Sequence, residues 1–193
     1  MKRSYLFLAP GFEETEALAT VDVMRRAGME VLTVAINPEN SEKVCGAHGV
    51  VVVADLLPED ADFTDVEWLI CPGGMPGAQN LADSRIVTEA LRAHAAKGGK
   101  IAAICASPAL VLAPLGILDG REATCYPGMQ PESDKIVMRD APVVALDNRI
   151  TGNGPASTLA FALAIVRRSC GDAVAQQIGS GMLVYPKSMN FYF

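Results

Sequence analysis

Hydrophobic positions along the chain alternate between strand and helix periods. Residues 5–9, Tyr-Leu-Phe-Leu-Ala, are a short apolar run that stops at Pro10-Gly11, which predicts a buried strand. Residues 13–27 place Ala17, Leu18, Val21 and Met24 at helical spacing before Gly28 ends the pattern. Residues 30–36 return to a strand. The stretch 37–65 is mixed, and His48-Gly49 ahead of four valines at 50–53 predicts an inserted hairpin or short strand. Residues 66–71 read as a buried strand closed by Pro72-Gly73-Gly74. An amphipathic helix over 85–97 stops at Gly98-Gly99, and 100–105 form another buried strand. Residues 107–115 read as a helix with Ser107 as N-cap and Pro108 at its first position. Short β-prone segments follow at 123–126, 143–146 and 149–151. A long helix over 155–169 and a short one over 172–178 complete the pattern.

This rhythm implies an α/β fold with a mostly parallel sheet and right-handed crossovers. In open sheets of that kind the site lies at the carboxyl ends of the strands. Three loops fall there: 10–16, 71–77 and 105–108. No repeat and no linker interrupts the chain, so one domain over residues 1–193 is expected, with the tail 187–193 as a flexible segment or a cover for a dimer groove.

Composition narrows the partners. Half of the residues are hydrophobic and aromatics are few, which suits aliphatic packing between sheet and helices. The net charge of −6 repels phosphate backbones and anionic lipid, so neither nucleic acid nor membrane is an expected partner. No apolar run approaches the roughly 20 residues a membrane helix needs, and the initial run is too short for a signal peptide. A cytoplasmic location is expected. Five widely spaced cysteines, without a C-x-x-C, read as thiols rather than a disulfide framework.

Cys105 stands apart from the others. Ile101-Ala102-Ala103-Ile104-Cys105-Ala106-Ser107-Pro108 runs strand, cysteine, helix, the layout of a nucleophile elbow, with small residues two before and two after. Such a turn aims the sulfur at solvent and sets it at a helix N-terminus, where the dipole favours thiolate. The amide of Ala106 is a natural oxyanion donor. The competing reading of Cys105 is a small buried hydrophobe. Cys71, Cys125 and Cys170 lack this context and are expected to pack.

Acidic residues at 13, 14 and 16 open the first helix and complement its dipole. Glu13 and Glu14 fit that role alone. Glu16, one turn in, is placed to face the sheet edge, where burial beside a thiolate would keep it protonated and able to shuttle protons. The glycine-rich 71–77 loop matches neither a Walker loop nor G-x-G-x-x-G and is suited to close approach of backbone to a ligand. His94 is expected on the solvent face of its helix. Cys45 and His48 are too few to ligate zinc. Neither a metal nor a cofactor is expected.

These segments together resemble the DJ-1/ThiJ/PfpI superfamily, in its DJ-1/ThiJ branch, from about Arg3 to Tyr185. The carrying motifs are Pro-Gly-Phe-Glu-Glu-Thr-Glu at 10–16, Val-Asp-Val-Met-Arg-Arg-Ala-Gly at 21–28, Pro-Gly-Gly-Met-Pro-Gly-Ala-Gln-Asn-Leu at 72–81, Ala-Ala-Ile-Cys-Ala-Ser-Pro at 102–108, and the stretch 154–166. The resemblance implies a flavodoxin-like (class I glutamine amidotransferase-like) three-layer sandwich, usually a homodimer. It implies a reactive cysteine at Cys105, a protonated glutamate at Glu16, and oxyanion amides at Gly74 and Ala106. Tyr126, His48, Gly73 and Asn153 are the further pocket candidates, and Arg26 and His48 are candidates to reach a pocket across a dimer. One departure stands out. Several members of the superfamily have a histidine where this chain has Tyr126, and tyrosine is no base at neutral pH. A Cys-His-acid protease mechanism is therefore disfavoured.

Three functions follow from the resemblance. The leading one is a cysteine-dependent, glutathione-independent enzyme of glyoxalase or deglycase type that turns reactive α-oxoaldehydes or glycated adducts into hydroxy acids. The second is an oxidation-sensing, chaperone-like stress protein using the same thiol. The third, thiazole phosphate (thiamine) metabolism or peptidase activity, lacks both a phosphate motif and a triad histidine.

Overall fold

A computed structural model describes residues 2–184; the tail 187–193 lies outside the described residues. In chain order the strands are β1 (Arg3–Leu8), β2 (Val31–Ala35), β3 (Lys43–Cys45), β4 (Val51–Val53), β5 (Val66–Cys71), β6 (Lys100–Ile104), β7 (Glu122–Ala123), β8 (Val137–Met138), β9 (Val143–Leu146) and β10 (Arg149–Gly152). The helices are α1 (Glu14–Arg26), α2 (Gly77–Asp83), α3 (Arg85–Ala96), α4 (Thr158–Cys170) and α5 (Asp172–Gly181).

Six strands form one sheet in the order β2-β1-β5-β6-β10-β9. All neighbours are parallel except β10 and β9, which pair antiparallel. The sheet is buried on both faces because side chains alternate along each strand. In β1, Leu6 and Leu8 pack with Phe161, Ile165 and the α1 residues Ala17 and Met24 on one face. Tyr5 and Phe7 pack with Val87 and Leu91 of α3 on the other. This three-layer α/β sandwich is the expected fold class. The hairpin predicted near 50 is β3 with β4, antiparallel.

Several segments depart from the sequence pattern. Residues 107–115 do not form an α-helix. Pro108–Leu112 make a π-turn, and the Ser107 side chain caps nothing. Pro155–Ser157 are a 3₁₀ turn, and the α-helix begins only at Thr158. Helix α2 and strand β8 have no clear periodic signal, being only seven and two residues long. His94 is not solvated: it is 6% exposed, with Nε2 3.2 Å from the Lys100 carbonyl. Burial pushes its pKa down, so the neutral ring is favoured. No helix among the described residues is long and apolar enough to cross a membrane.

The chain passes from β1 outward to β2 and then back to β5 on the other side of β1. This reversal opens a crevice at the carboxyl ends of β1 and β5, where ligands bind in open α/β sheets. Glu16 follows β1, Gly73 follows β5 and Cys105 follows β6.

Candidate active site

Cys105 occupies the left-handed backbone region at φ +63°. A non-glycine residue held there stores roughly 1–2 kcal/mol of strain, which persists only where the surroundings enforce it. Three bonds enforce it here. The Cys105 amide donates to the Gly152 carbonyl at 2.9 Å, and the Tyr126 amide donates to the Cys105 carbonyl at 2.8 Å. The Ser107 hydroxyl donates to the Pro72 carbonyl at 2.5 Å, tying the elbow to the glycine-rich loop. Ser107 is thus a staple rather than a helix cap. No sequence signal pairs it with Pro72, because the contact exists only once β5 and β6 lie side by side.

Glu16 is fully buried. Its Oε2 accepts the Gly73 amide at 2.7 Å, and its carboxyl is hydrogen-bonded to Cys105. The other oxygen, Oε1, has no hydrogen-bond partner among the described residues. Burial is the main cause that pushes the Glu16 carboxyl up to about 7; Glu13 adds repulsion, while the bonds from Gly73 and Cys105 work the other way. Glu13 positions Glu16: its Oε2 accepts the Glu16 amide at 2.6 Å as the N-cap of α1.

Burial, and then the Glu16 charge, push the Cys105 thiol up to about 12, against the amides of Gly74 and Ala106, which favour thiolate. The segment after the elbow, Pro108–Leu112, is π-helical rather than the expected α-helix. Moving the thiol proton to Glu16 removes the opposing charge and leaves the thiolate facing two amides and a carboxylic acid.

Glycine is required where the loops meet. A Cβ on Gly73 would lie 2.5 Å from the Cys105 Cβ, 2.8 Å from Glu16 Oε2 and 3.0 Å from the sulfur. A Cβ on Gly74 would lie 2.4 Å from the Glu13 amide. Gly73→Ala is expected to lose about 2 kcal/mol of stability, as overpacking does, and to slow alkylation of Cys105 by iodoacetamide by at least tenfold. Urea midpoints and timed mass spectra check both.

The remaining candidates spread out. The Tyr126 ring is half exposed and lies beside Gly154, whose added Cβ would be 3.6 Å from it. Only its amide is fixed to Cys105. Asn153 lines a different cavity, of about 410 Å³, with Thr124, Cys125 and Arg139. His48 pairs with Glu14 rather than with Cys45 or Cys105: Nδ1 is 2.7 Å from Glu14 Oε2, and the His48 amide donates to Oε1 at 2.7 Å. Glu14 is therefore more than a dipole complement, because it pins the loop between β3 and β4. Burial raises the Glu14 pKa, but bonds from the His48 ring and from backbone amides outweigh it and hold the carboxylate below its ordinary value. Glu13, Glu14 and His48 bring ligand atoms within 4.8 Å of one another, yet both Glu14 oxygens and Glu13 Oε2 already accept hydrogen bonds. Cys71 is fully buried and pushed up to about 12 by burial. Cys125 is buried and Cys170 partly so, as their packing context predicts.

A mostly parallel α/β sheet thus carries a cysteine in the left-handed backbone region at a strand end, beside a buried carboxyl. Residues 2–168 match the DJ-1/PfpI family, and the chain belongs to that family. It is 35% identical over 185 residues to Protein dj-1beta of Drosophila melanogaster, covering 95% of this chain and 97% of that one. It is 35% identical over 169 residues to the Glutathione-independent glyoxalase DJR-1.2 of Caenorhabditis elegans, covering 86% and 88%. The chain spans only 40% of the length of Protein DJ-1 homolog B of Arabidopsis thaliana, to which it is 37% identical over 177 residues. Among solved structures, a Cys-to-Ala mutant of a DJ-1 superfamily protein from Salmonella typhimurium superposes with a TM-score of 0.89 at 34% identity, covering 97% of this chain and all of that one. Toxoplasma gondii DJ-1, in an oxidized form, gives 0.88 at 34% identity, with 96% and 100% covered.

Proposed function

We propose that this protein is a cofactor-independent enzyme that converts reactive α-oxoaldehydes, or their early adducts on amines and thiols, into hydroxy acids without glutathione. The observation that carries the reading is the buried Glu16 carboxyl on the sulfur of a strained cysteine. The similarity to a relative named as a glutathione-independent glyoxalase supports it.

The thiol proton passes to Glu16, and the sulfur attacks the aldehyde carbon, forming a C–S bond. Glu16 returns its proton to the new alkoxide, giving a hemithioacetal, while the Gly74 and Ala106 amides stabilise the developing charge. The Glu16 carboxylate then removes the hydrogen from that carbon as a proton and delivers it to the neighbouring carbonyl carbon, while the hydroxyl proton passes to the neighbouring oxygen. One carbon is oxidised to a thioester and its neighbour reduced to an alcohol, so no external redox partner is consumed. Water cleaves the thioester, releasing the hydroxy acid and restoring the thiol. Tyr126 takes no proton in this scheme, and Glu16 serves each proton transfer. A cytoplasmic location and a homodimer of single-domain chains belong to the same proposal.

The test is lactate formed from methylglyoxal without glutathione, by wild type and Cys105→Ala in parallel. Lactate from the wild type alone is the expected result; equal turnover by both sinks the proposal. The second reading, oxidation sensing by Cys105, draws on the similarity to a DJ-1 protein solved in an oxidized form. It predicts that mild peroxide adds oxygen to Cys105, read by intact mass. An unmodified Cys105 would exclude it.

A further inference from the structure

At the other end of the sheet, three arginines surround a cavity that the proposed chemistry does not use. The cavity, of about 410 Å³, lies between the last turn of α3, the loop after the π-turn and the start of β10. Arg92, Arg121 and Arg149 line it, along with the apolar side chains of Leu115 and Ile117.

Arg149 is the central observation. It is 5% exposed, yet among the described residues it has no carboxylate partner. Its Nε donates to the Ile117 carbonyl at 3.4 Å, and its Nη1 to the Gly99 and Asn148 carbonyls at 2.6 and 2.8 Å. Nη2 has no protein acceptor among the described residues and is not a fully buried atom. Burial, and then the nearby charge of Arg121 on the same cavity wall, lower the Arg149 pKa to about 10. The side chains of Arg92 and Arg121 form no ion pair among the described residues. Asp119 also lines the cavity, but its carboxylate is 3.6 Å from the Lys135 ammonium. Arg92 is exposed and Arg121 partly so, but the buried Arg149 charge, which would ordinarily be paired, is held by carbonyls alone, so the pocket sets three positive charges against the one negative charge of Asp119 in a chain of net charge −6.

We infer that this cavity is a binding site for a phosphoryl dianion, held by Arg92, Arg121 and the Nη2 of Arg149. A carboxylate offers two oxygens and one charge, which leaves one arginine unmatched. A phosphoryl group offers three oxygens and about two charges, in the geometry that guanidinium forks bind. The apolar wall of Leu115 and Ile117 accommodates the organic part of a phosphate monoester. The site is separate from the elbow: Arg149 starts β10, whereas Gly152 at its far end bonds Cys105.

The test is calorimetric titration of the intact protein with inorganic phosphate and with phenyl phosphate, against sodium chloride of matched ionic strength. Saturable phosphate binding with one site per chain is expected. Arg121→Ala should weaken it at least tenfold, as loss of a charge-assisted bond does, and Arg92→Ala should do likewise. The Arg121 side chain makes no bond within the described residues, so the variant should keep its circular dichroism. Arg139→Ala, outside the cavity, should bind like wild type. Tighter binding of phenyl phosphate marks a monoester site, whereas equal affinity marks a free-phosphate site. Heat no larger than with chloride, or equal binding by Arg121→Ala and wild type, overturns the inference.

Discussion

Cys105→Gly is expected to be inactive yet more stable than Cys105→Ala by about 1 kcal/mol. Both variants lack the sulfur, so neither forms a hemithioacetal, and both should leave lactate at background. They differ in backbone freedom. At φ +63° an L-residue brings its Cβ close to the following carbonyl, at a cost of roughly 1–2 kcal/mol, whereas glycine enters the left-handed region freely. The small apolar burial lost with the methyl group offsets part of that gain. Urea midpoints of the two variants measure the difference. Equal midpoints, or a more stable alanine variant, would show that the elbow is unstrained. Lactate formation surviving in either variant would remove Cys105 from the reaction.

Glu16→Gln should trade activity for stability. Its amide can still accept from Gly73 through the carbonyl oxygen, so the loops stay joined, but it cannot carry the proton between sulfur and substrate. Turnover should fall by at least 100-fold, within the usual range for loss of a general acid–base. The stability effect depends on pH. Burial raises the Glu16 carboxyl in the folded state to about 7 from its ordinary 4.5. The fold therefore prefers the protonated form. That preference is fully present below pH 4.5 and is lost as pH climbs through 7. Above that range the buried charge costs up to about 3 kcal/mol, a cost that neutral glutamine avoids. The melting temperature of Glu16→Gln relative to wild type should thus rise between pH 5 and pH 8. A difference that stays constant with pH would mean that Glu16 titrates as an ordinary exposed carboxylate.

Much of this could be read from the residue pattern. Period-2 and period-3.6 hydrophobicity located β5 to the residue and β1, β2, β6, α1 and α3 to within a residue or two at most ends, because each buries an apolar face whatever surrounds it. Cys105 was legible because an elbow needs small neighbours in sequence, and Glu16 because it lies one turn into the first helix. The motifs at 10–16, 72–81 and 102–108 carried the resemblance to the family that residues 2–168 then matched.

Where the pattern misled, the cause was a partner distant in sequence. Residues 107–115 have helical propensity, yet the Ser107 hydroxyl is drawn to the Pro72 carbonyl and the turn widens. His94 sits on a helix with an exposed side, but the Gly98-Gly99 turn folds back over it: a Cβ on Gly99 would lie 2.3 Å from its ring. The loop held by Glu14 and the carbonyl cradle of Arg149 join residues 34 and 50 positions apart. The sequence by itself determined the layers and singled out Cys105 and Glu16 as the candidate pair, since these rest on local periodicity and spacing. Tertiary structure alone decided how far burial shifts that pair and brought three arginines to the cavity at the other end of the sheet. Both depend on how much water is excluded and which charges are left facing each other once the strands are assembled.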